Sequence, residues 1–343
     1  MKSIVSIVGG FFVEIAFFAL YKCQNRCYTI SMRDTLTSMT TSDSHTLYYR
    51  KWDETENDKK IVMILVHGMT EHSLRYEEFA HFLNQNGIAV YALDLRGHGN
   101  TGKGVERGWY AEENGWMRTA LDVIELTHMV KSENRYDKFV LFGHSMGSYL
   151  SREIISSFPN EFDAAIFSGT GMPTFVIKAF GPMVSAIEKK RIGAKTPSSL
   201  MNRLSFASFN KHFEQKGVEA NGFEWLNRDE KEVQKYIDDP DCGFVCTSSF
   251  FYDFIRGMIH ATSKKAASKV RKDLPILFVS GDEDPVGDFS RGVIKASKRY
   301  IKAGVKDVTV KLYKGARHEI AFELCKKEVM SDAFAFINEK CAK

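Results

Sequence analysis

Short apolar runs alternate with helix-like segments along most of the 343-residue chain. The strand-like runs are HTLYYRKW, KIVMILVHG, IAVYALDLRGHG, KFVLFG, DAAIFSGTG, LPILFVSG and VTVKLY. Segments with helical spacing lie between them, in RYEEFAHFLNQNG and over residues 112–131 and 146–158. Short strands that are apolar on both faces and separated by helices are typical of a parallel sheet covered by helices. The pattern therefore predicts an α/β fold with a mostly parallel central sheet.

The alternation stops from about Gly171 to Lys272, where phenylalanines, paired lysines and helix-like pieces replace it. A helical insertion between two strands would cover the carboxyl edge of the sheet, where open α/β folds bind their ligands. We therefore predict a core at residues 44–170 and 273–343 and a helical cap at residues 171–272. The cap phenylalanines could line an acyl-chain pocket or form the cap's own core: Phe206, Phe209, Phe213, Phe250, Phe251 and Phe254.

The first 30 residues form a separate hydrophobic segment. Residues Ser3 to Tyr21 are nearly all apolar, with one carboxylate at Glu14. As a helix this stretch would span about 28 Å, close to the hydrocarbon thickness of a bilayer. A carboxylate in lipid costs about 2.5 kcal/mol or more, which the apolar residues around it can offset. Because no small-residue cleavage site ends the stretch, we predict an uncleaved membrane anchor rather than a removed signal peptide.

Basic residues follow this segment more often than they precede it. Lys22, Arg26 and Arg33 come after it, and Lys2 comes before it. By the positive-inside rule, this bias predicts a main body on the cytoplasmic side of the membrane. An interfacial helix, or translation from Met32 that gives a soluble cytoplasmic protein, stays open as an alternative.

Composition narrows the possible partners. A hydrophobic fraction of 44% is ordinary for a packed globular protein, and the net charge of +4 is spread along the chain, which argues against nucleic acid. The glycines of GHGNTG, Gly97 to Gly102, lead into a loop rather than a helix, so a dinucleotide cofactor is not expected. The cysteines lack zinc-site spacing, so we expect reduced thiols and no metal: Cys23, Cys27, Cys242, Cys246, Cys325 and Cys341.

The segment GHSMG, Gly143 to Gly147, lies between a predicted strand and a predicted helix. A G-x-S-x-G turn at this position is so sharp that side chains two residues before and after the serine would collide. The turn lifts the Ser145 hydroxyl to the tip of the sheet, beside backbone N–H groups at the start of the helix. Ser145 is therefore the predicted nucleophile.

A serine nucleophile needs a histidine base and an acid that orients it, in the chain order serine, acid, histidine for this turn. His318 is the one histidine after the last predicted strand, so we predict it as the base. The loop GDEDPVG offers the acid, and Pro285 would hold Asp284 in an extended conformation that aims its carboxylate. We favour Asp284, with Asp282 as the alternative.

The reaction also needs two N–H donors for an oxyanion. One would be the amide of Met146, which directly follows the nucleophile. The other should come from the loop after an earlier strand, where Gly68 lets the backbone turn and the Met69 amide is the candidate. A glycine turn without this role is the alternative.

Five blocks occur in a fixed order: HGMTEHSLRY, DLRGHGNT, GHSMGS, GDEDPVG and GARHE. Together they resemble the monoacylglycerol lipase and lysophospholipase group of α/β-hydrolases, over roughly residues 44–340. The segment FEWLNRDEKEVQKYIDDPDCGF is also similar to lysophospholipase-like bacterial members. The resemblance implies a triad and two oxyanion donors at these positions: Ser145, Asp284, His318, Met69 and Met146.

The resemblance extends to two residues at the polar end of the pocket. Glu71 and Arg75 match positions that line this end in monoacylglycerol lipases, with a surface ion pair as the alternative. Ser148 stands where many members have glycine, one turn into the helix, and we expect no loss of activity from it.

We therefore predict a serine hydrolase of lipid-like carboxylic esters that works through an acyl-enzyme and needs no cofactor. Acyl transfer to another alcohol and peptide hydrolysis stay open, because these reactions share the triad. A ligand-binding receptor on the same fold also stays open, since fold does not determine function.

Overall fold

The computed structural model describes residues 34–55, 59–105, 107–213 and 220–341. The hydrophobic amino-terminal segment, with its predicted anchor at residues 3–21, lies outside this part of the chain. Among the residues described, no helix has both the length and the apolar character needed to span a bilayer.

The strands are β1 (Thr35–Thr40), β2 (Thr46–Trp52), β3 (Ile61–Val66), β4 (Ile88–Leu93), β5 (Lys138–His144), β6 (Ala164–Ser168), β7 (Ile276–Gly281) and β8 (Val308–Tyr313). The α-helices are α1 (Glu77–Gln85), α2 (Gly115–Ser132), α3 (Met146–Ser157), α4 (Phe175–Ile192), α5 (Ser199–Phe206), α6 (Glu230–Asp238), α7 (Ser248–Ala261), α8 (Lys264–Lys269), α9 (Arg291–Lys302) and α10 (Lys326–Cys341). Short 3₁₀ helices occupy Ser73–Tyr76 and Asn210–His212.

All these strands belong to one sheet in the order β1-β2-β4-β3-β5-β6-β7-β8. The pairs β1–β2 and β2–β4 are antiparallel, and every pair from β4–β3 to β7–β8 is parallel. The predicted α/β fold with a mostly parallel sheet is therefore confirmed. The sequence pattern missed β1, because its residues TLTSMT are largely polar and suit the exposed edge of a sheet.

Both faces of the central strands are buried, as the continuous apolar runs predicted. In β3, Val62 and Ile64 belong to one hydrophobic cluster, and Ile61 and Met63 belong to the other. Side chains alternate between the faces of a strand, so this division requires helices on both sides. Helices α1 and α10 contribute to the second cluster, and α2, α3, α7 and α9 contribute to the first.

Helices α4 to α8 lie between β6 and β7, in the stretch where the strand pattern stops. Each of these five helices begins at a side chain that accepts a hydrogen bond from the first turn, which favours a helix start at that residue. These caps are Thr174, Ser198, Asp229, Thr247 and Ser263.

The parallel strands bring the loops with the predicted chemistry to one edge of the sheet. β3, β5, β7 and β8 run in the same direction, so the segments that follow them emerge together. Those segments carry Gly68, Ser145, Asp284 and His318.

Candidate active site

Ser145 occupies the sharp turn between β5 and α3 with φ of 51° and ψ of −120°. This backbone conformation is rare for a residue with a side chain. A Cβ at Gly147 would overlap the carbonyl oxygens of Val66 and His67, and one at Gly143 would overlap the backbone of Gly147. The two glycines thus allow α3 to start directly against β3.

His318 and Asp284 form a buried pair beside this turn. His318 Nδ1 lies 3.0 Å from both carboxylate oxygens of Asp284. The exposed fraction is 2% for His318 and 0% for Asp284. The carboxylate also accepts the Val286 N–H at 2.8 Å, which fixes its direction. Because Nδ1 faces Asp284, Nε2 is the nitrogen left for a substrate or a nucleophile.

Asp282, the alternative acid, forms a hydrogen bond with a backbone group. Its Oδ1 accepts the backbone N–H of Gly315 at 2.6 Å and so holds the loop that leads to His318. Asp284 is therefore the carboxylate that the structure places against His318, and Asp282 braces the turn after β8.

The two histidines of the site have opposite pKa shifts. Burial would lower the pKa of His318, but the charge and hydrogen bond of Asp284 raise it above its ordinary value. Burial lowers the pKa of His144 to about 3, and the charge of His318 adds to this effect. The two rings lie 4.8 Å apart. At a pH at which His318 can take a proton, His144 therefore stays neutral.

A cavity of about 540 Å³ opens above these residues. Of the predicted site residues, Met69, Glu71, Ser145 and His318 line it. Asp284 lies behind His318, as expected of an orienting acid, and the Met146 side chain is buried under the turn. The sequence did not single out several lining residues, including His144, Trp225, Tyr236 and Glu319, although His144 and Glu319 directly adjoin predicted residues.

Both predicted oxyanion donors lie close to Ser145. A Cβ at Gly68 would come within 3.2 Å of Ser145 Cβ, so the loop after β3 runs beside the nucleophile. Among the described residues, no protein group accepts a hydrogen bond from the backbone N–H of Met69 or Met146. Both amides are thus free to donate to a bound oxygen.

Glu71 and Arg75 belong to a buried charge network with Glu319. Arg75 Nη1 lies 2.7 Å from Glu71 Oε2 and 2.6 Å from Glu319 Oε1. Glu71 also accepts the Tyr76 hydroxyl at 2.9 Å and the backbone N–H of Gly68. The surface ion pair considered from the sequence is therefore wrong, because only 10% of the Arg75 side chain and 3% of the Glu71 side chain are exposed.

Arg75 differs from its predicted position, since it lies behind Glu71 and not among the lining residues. Burial would raise the pKa of Glu71, but the charge of Arg75 lowers it below its ordinary value. Burial would lower the pKa of Arg75, and Glu319 and Glu71 raise it instead. Arg75 therefore favours the ionised form of Glu71, and it positions two carboxylates, Glu71 and Glu319, that line the cavity.

The segment between β6 and β7 closes the cavity through contacts with the loop of His318. The Glu319 N–H donates to Leu226 O at 2.8 Å, and the Trp225 ring lies 5.1 Å from the His318 ring. Of the six phenylalanines proposed as pocket residues, Phe206 lines this cavity. The others pack in hydrophobic clusters instead: Phe209 and Phe213 around Trp225, and Phe250, Phe251 and Phe254 against the main core.

One group of potential metal ligands occurs in the described part of the chain. His72, Asp239 and Cys242 have donor atoms within 4.8 Å of one another. His72 Nε2 already donates to Asp239 Oδ2 at 2.8 Å, which links the loop after β3 to the segment after α6. These side chains are not among those that line the cavity around Ser145.

A mostly parallel sheet with a serine on its sharpest turn, next to a buried histidine–carboxylate pair, defines the α/β-hydrolase class. A family model described as "Serine aminopeptidase, S33" matches residues 57–325. The chain belongs to this family.

Individual relatives agree with this assignment. The chain is 26% identical over 303 residues to the monoglyceride lipase of Homo sapiens, covering 88% of this chain and 89% of that protein. It is 26% identical over 294 residues to the monoacylglycerol lipase of Mycolicibacterium smegmatis, covering 85% of this chain and 92% of the relative. A thermostable carboxyl esterase from Bacillus coagulans superposes with a TM-score of 0.82 at 25% identity, over 90% of this chain and 99% of the esterase. The resemblance predicted from the sequence is confirmed.

Replacement of Ser145 by glycine is expected to give a more stable protein than replacement by alanine. Alanine keeps a strain of about 1–3 kcal/mol at this φ and ψ, whereas glycine removes it and loses about 0.5–1 kcal/mol to chain entropy. We expect Ser145→Gly to exceed Ser145→Ala by about 1 kcal/mol in the free energy of unfolding, measured with urea. The same two substitutions at Ser156, inside α3, should show the reverse order. If the glycine variant at residue 145 were less stable than the alanine variant, the inference of backbone strain at this residue would be wrong.

Loss of the Arg75 charge is expected to destabilise the fold strongly. Arg75→Gln would leave the buried carboxylates of Glu71 and Glu319 without their cation, a change that costs about 3–5 kcal/mol. Chemical denaturation measures this loss. The matched control is Arg107→Gln, which breaks the exposed pair with Asp241 and should cost less than about 1 kcal/mol. Equal effects of the two variants would show that the buried network contributes no more than a surface pair.

Proposed function

We propose that this protein is a serine hydrolase that cleaves lipid-like carboxylic esters through an acyl-enzyme on Ser145. The observation that carries the proposal is the buried His318–Asp284 pair, whose histidine lines the same cavity as the strained Ser145. The relatives named as monoacylglycerol lipases support monoacylglycerol as the substrate, and lysophospholipid is the second substrate class that the sequence resemblance implies.

The geometry supports a two-step mechanism. Ser145 Oγ attacks the ester carbonyl carbon while His318 Nε2 takes its proton, and Asp284 stabilises the resulting imidazolium through Nδ1. The carbonyl oxygen becomes an oxyanion and accepts hydrogen bonds from the Met69 and Met146 amides. When the intermediate collapses, the alcohol leaves with the proton from Nε2. Water then attacks the acyl-enzyme by the same route and releases the acid.

The segment at residues 171–272 is proposed to act as the cap over this site. Asn202, Phe206 and Trp225 from this segment line the cavity opposite Ser145 and His318. The apolar rings suit an acyl chain, and the polar groups Glu71 and Asn202 suit the hydroxyls of an alcohol group. The hydrophobic anchor at residues 3–21 would keep this cavity near lipid substrates and stays a prediction.

Ser145→Ala is expected to abolish hydrolysis of monoacylglycerol and labelling by a fluorophosphonate probe, because both need the serine oxygen. The measurements are fatty-acid release from monoacylglycerols and lysophospholipids, cleavage of peptides, and formation of new esters when acyl acceptors are added. Ser268→Ala, an exposed serine on α8, should behave as the unmodified protein. Turnover that survives in Ser145→Ala would refute the proposal. Tight ligand binding without turnover in the unmodified protein would favour the receptor alternative instead.

Asp284→Asn is expected to lower kcat by about 10⁴-fold, the size of effect seen when an orienting carboxylate is lost. Activity needs neutral His318, so kcat/KM should fall as the pH drops through the pKa of His318. Because Asp284 raises that pKa, the acidic limb of the kcat/KM profile should move to lower pH in the variant. Asp282→Asn is the matched control and should keep both kcat and the position of the limb. A larger loss of kcat in Asp282→Asn than in Asp284→Asn would show that Asp282 is the orienting acid.

A further inference from the structure

A second cavity, of about 440 Å³, lies between α8 and α9 and carries an unusual concentration of charge. Every lining residue except Ile294 is a lysine or an arginine. We call this surface the basic groove, and its cations are Lys264, Arg291, Lys295, Lys298, Arg299 and Lys302.

Carboxylates of the protein leave most of this charge unbalanced. Arg291 pairs with Asp288 at 2.8 Å, and Arg299 Nη1 donates to the carbonyl oxygen of Thr262 at 2.9 Å. Within the described part of the chain, the four lysines of the groove have no carboxylate within ion-pair distance. Like charges around one concave surface repel one another and attract anions from solution.

The groove results from the amphipathic pattern of α9. Val293, Ala296 and Tyr300 are buried against the core, so the opposite side of the helix presents its cations to solvent. The short helix α8 adds Lys264, while its Ala266 and Ala267 are buried. The exposed side of α9 therefore carries positive charges only. It differs from an ordinary solvent-exposed helix side, where basic and acidic residues are mixed.

The positive field of the groove reaches an exposed apolar surface on α4. A Cβ at Gly292, in the first turn of α9, would lie 3.4 Å from the backbone nitrogen of Met172, three residues before α4, so the start of α4 adjoins the groove. In keeping with this, burial lowers the pKa of Lys178 on α4, and the charges of Lys295 and Arg299 lower it further. Around Lys178, Phe175 is 80% exposed, Val176 is 63% exposed and Phe180 is 52% exposed. Large apolar side chains in such a group mark a contact surface.

We propose that the basic groove binds the phosphate-bearing headgroups of anionic phospholipids at a bilayer surface, with the apolar start of α4 entering the interface beside it. A free phosphate would use the cations but would leave Phe175 and Phe180 without a function. A nucleic acid would need cationic surface along a longer track, whereas this one ends at an apolar patch. The surface goes beyond the proposed esterase chemistry and does not depend on Ser145.

The test compares binding of the full chain to two kinds of vesicle by co-sedimentation. One kind is phosphatidylcholine alone, and the other is equal parts of phosphatidylcholine and phosphatidylserine. The quantity of interest is the ratio of the two affinities, because any charge-independent membrane affinity elsewhere in the chain affects both. Lys295→Glu combined with Lys298→Glu should lower this ratio at least about tenfold, since each cation near an anionic surface contributes about fivefold.

The matched control carries the same charge change outside the groove, at Lys231 and Lys327, two exposed lysines of α6 and α10. It should keep the ratio of the unmodified protein, and raised salt should reduce that ratio. Equal effects of the two double variants, or equal affinity for both vesicles in the unmodified protein, would overturn the proposal. Groove-dependent binding of inorganic phosphate or RNA without a preference for anionic vesicles would overturn it too.

Vesicle binding by Ser145→Ala separates this proposal from the esterase proposal. We expect Ser145→Ala to bind anionic vesicles as tightly as the unmodified protein does, because Ser145 does not belong to the groove. Hydrolysis of a short water-soluble ester by the Lys295→Glu, Lys298→Glu protein serves as the folding control and should be unchanged.

Discussion

The close approach of α3 to β3 is the contact on which the site depends. The backbone at Gly147 lies so near the carbonyl oxygens of Val66 and His67 that a single methyl group would overlap them. This contact forces the chain to turn within one residue, and Ser145 therefore takes a backbone conformation that L-residues rarely adopt. It also brings the loop at Gly68 and Met69 close to Ser145, which the Met146 amide directly follows.

The second constraint is the attachment of the α4–α8 segment to the loops of the site. Leu226 accepts the N–H of Glu319, and the Gly243 N–H donates to Thr70 O at 3.0 Å. Both contacts join this segment to loops that carry a proposed functional group, one beside His318 and one beside Met69. A shift of the segment would therefore move the base and an oxyanion donor together, so the cavity and its chemistry are mechanically linked.

The sequence predicted those parts of the site that follow from local backbone geometry. GHSMG required glycines on both sides of Ser145, because this is a steric effect between neighbours in the chain. The extended conformation that Pro285 indicates for Asp284 stays a prediction. The burial of Arg75 could not be predicted in this way, since Glu319 lies 244 residues further along. Likewise, the core positions of Phe250 and Phe251 depend on helix packing that a composition pattern does not contain.

The charges around His318 explain why one of two adjacent histidines can act as the base. Asp284, Glu319 and Glu71 all raise the pKa of His318, so they favour the imidazolium that the proposed mechanism needs. Arg75 limits this field by pairing with two of these carboxylates. His144 has no carboxylate partner among the described residues, and an imidazolium at His318 lowers its pKa further. In the proposed mechanism, His318 rather than His144 therefore accepts the proton, and Asp284 sets which nitrogen of His318 receives it.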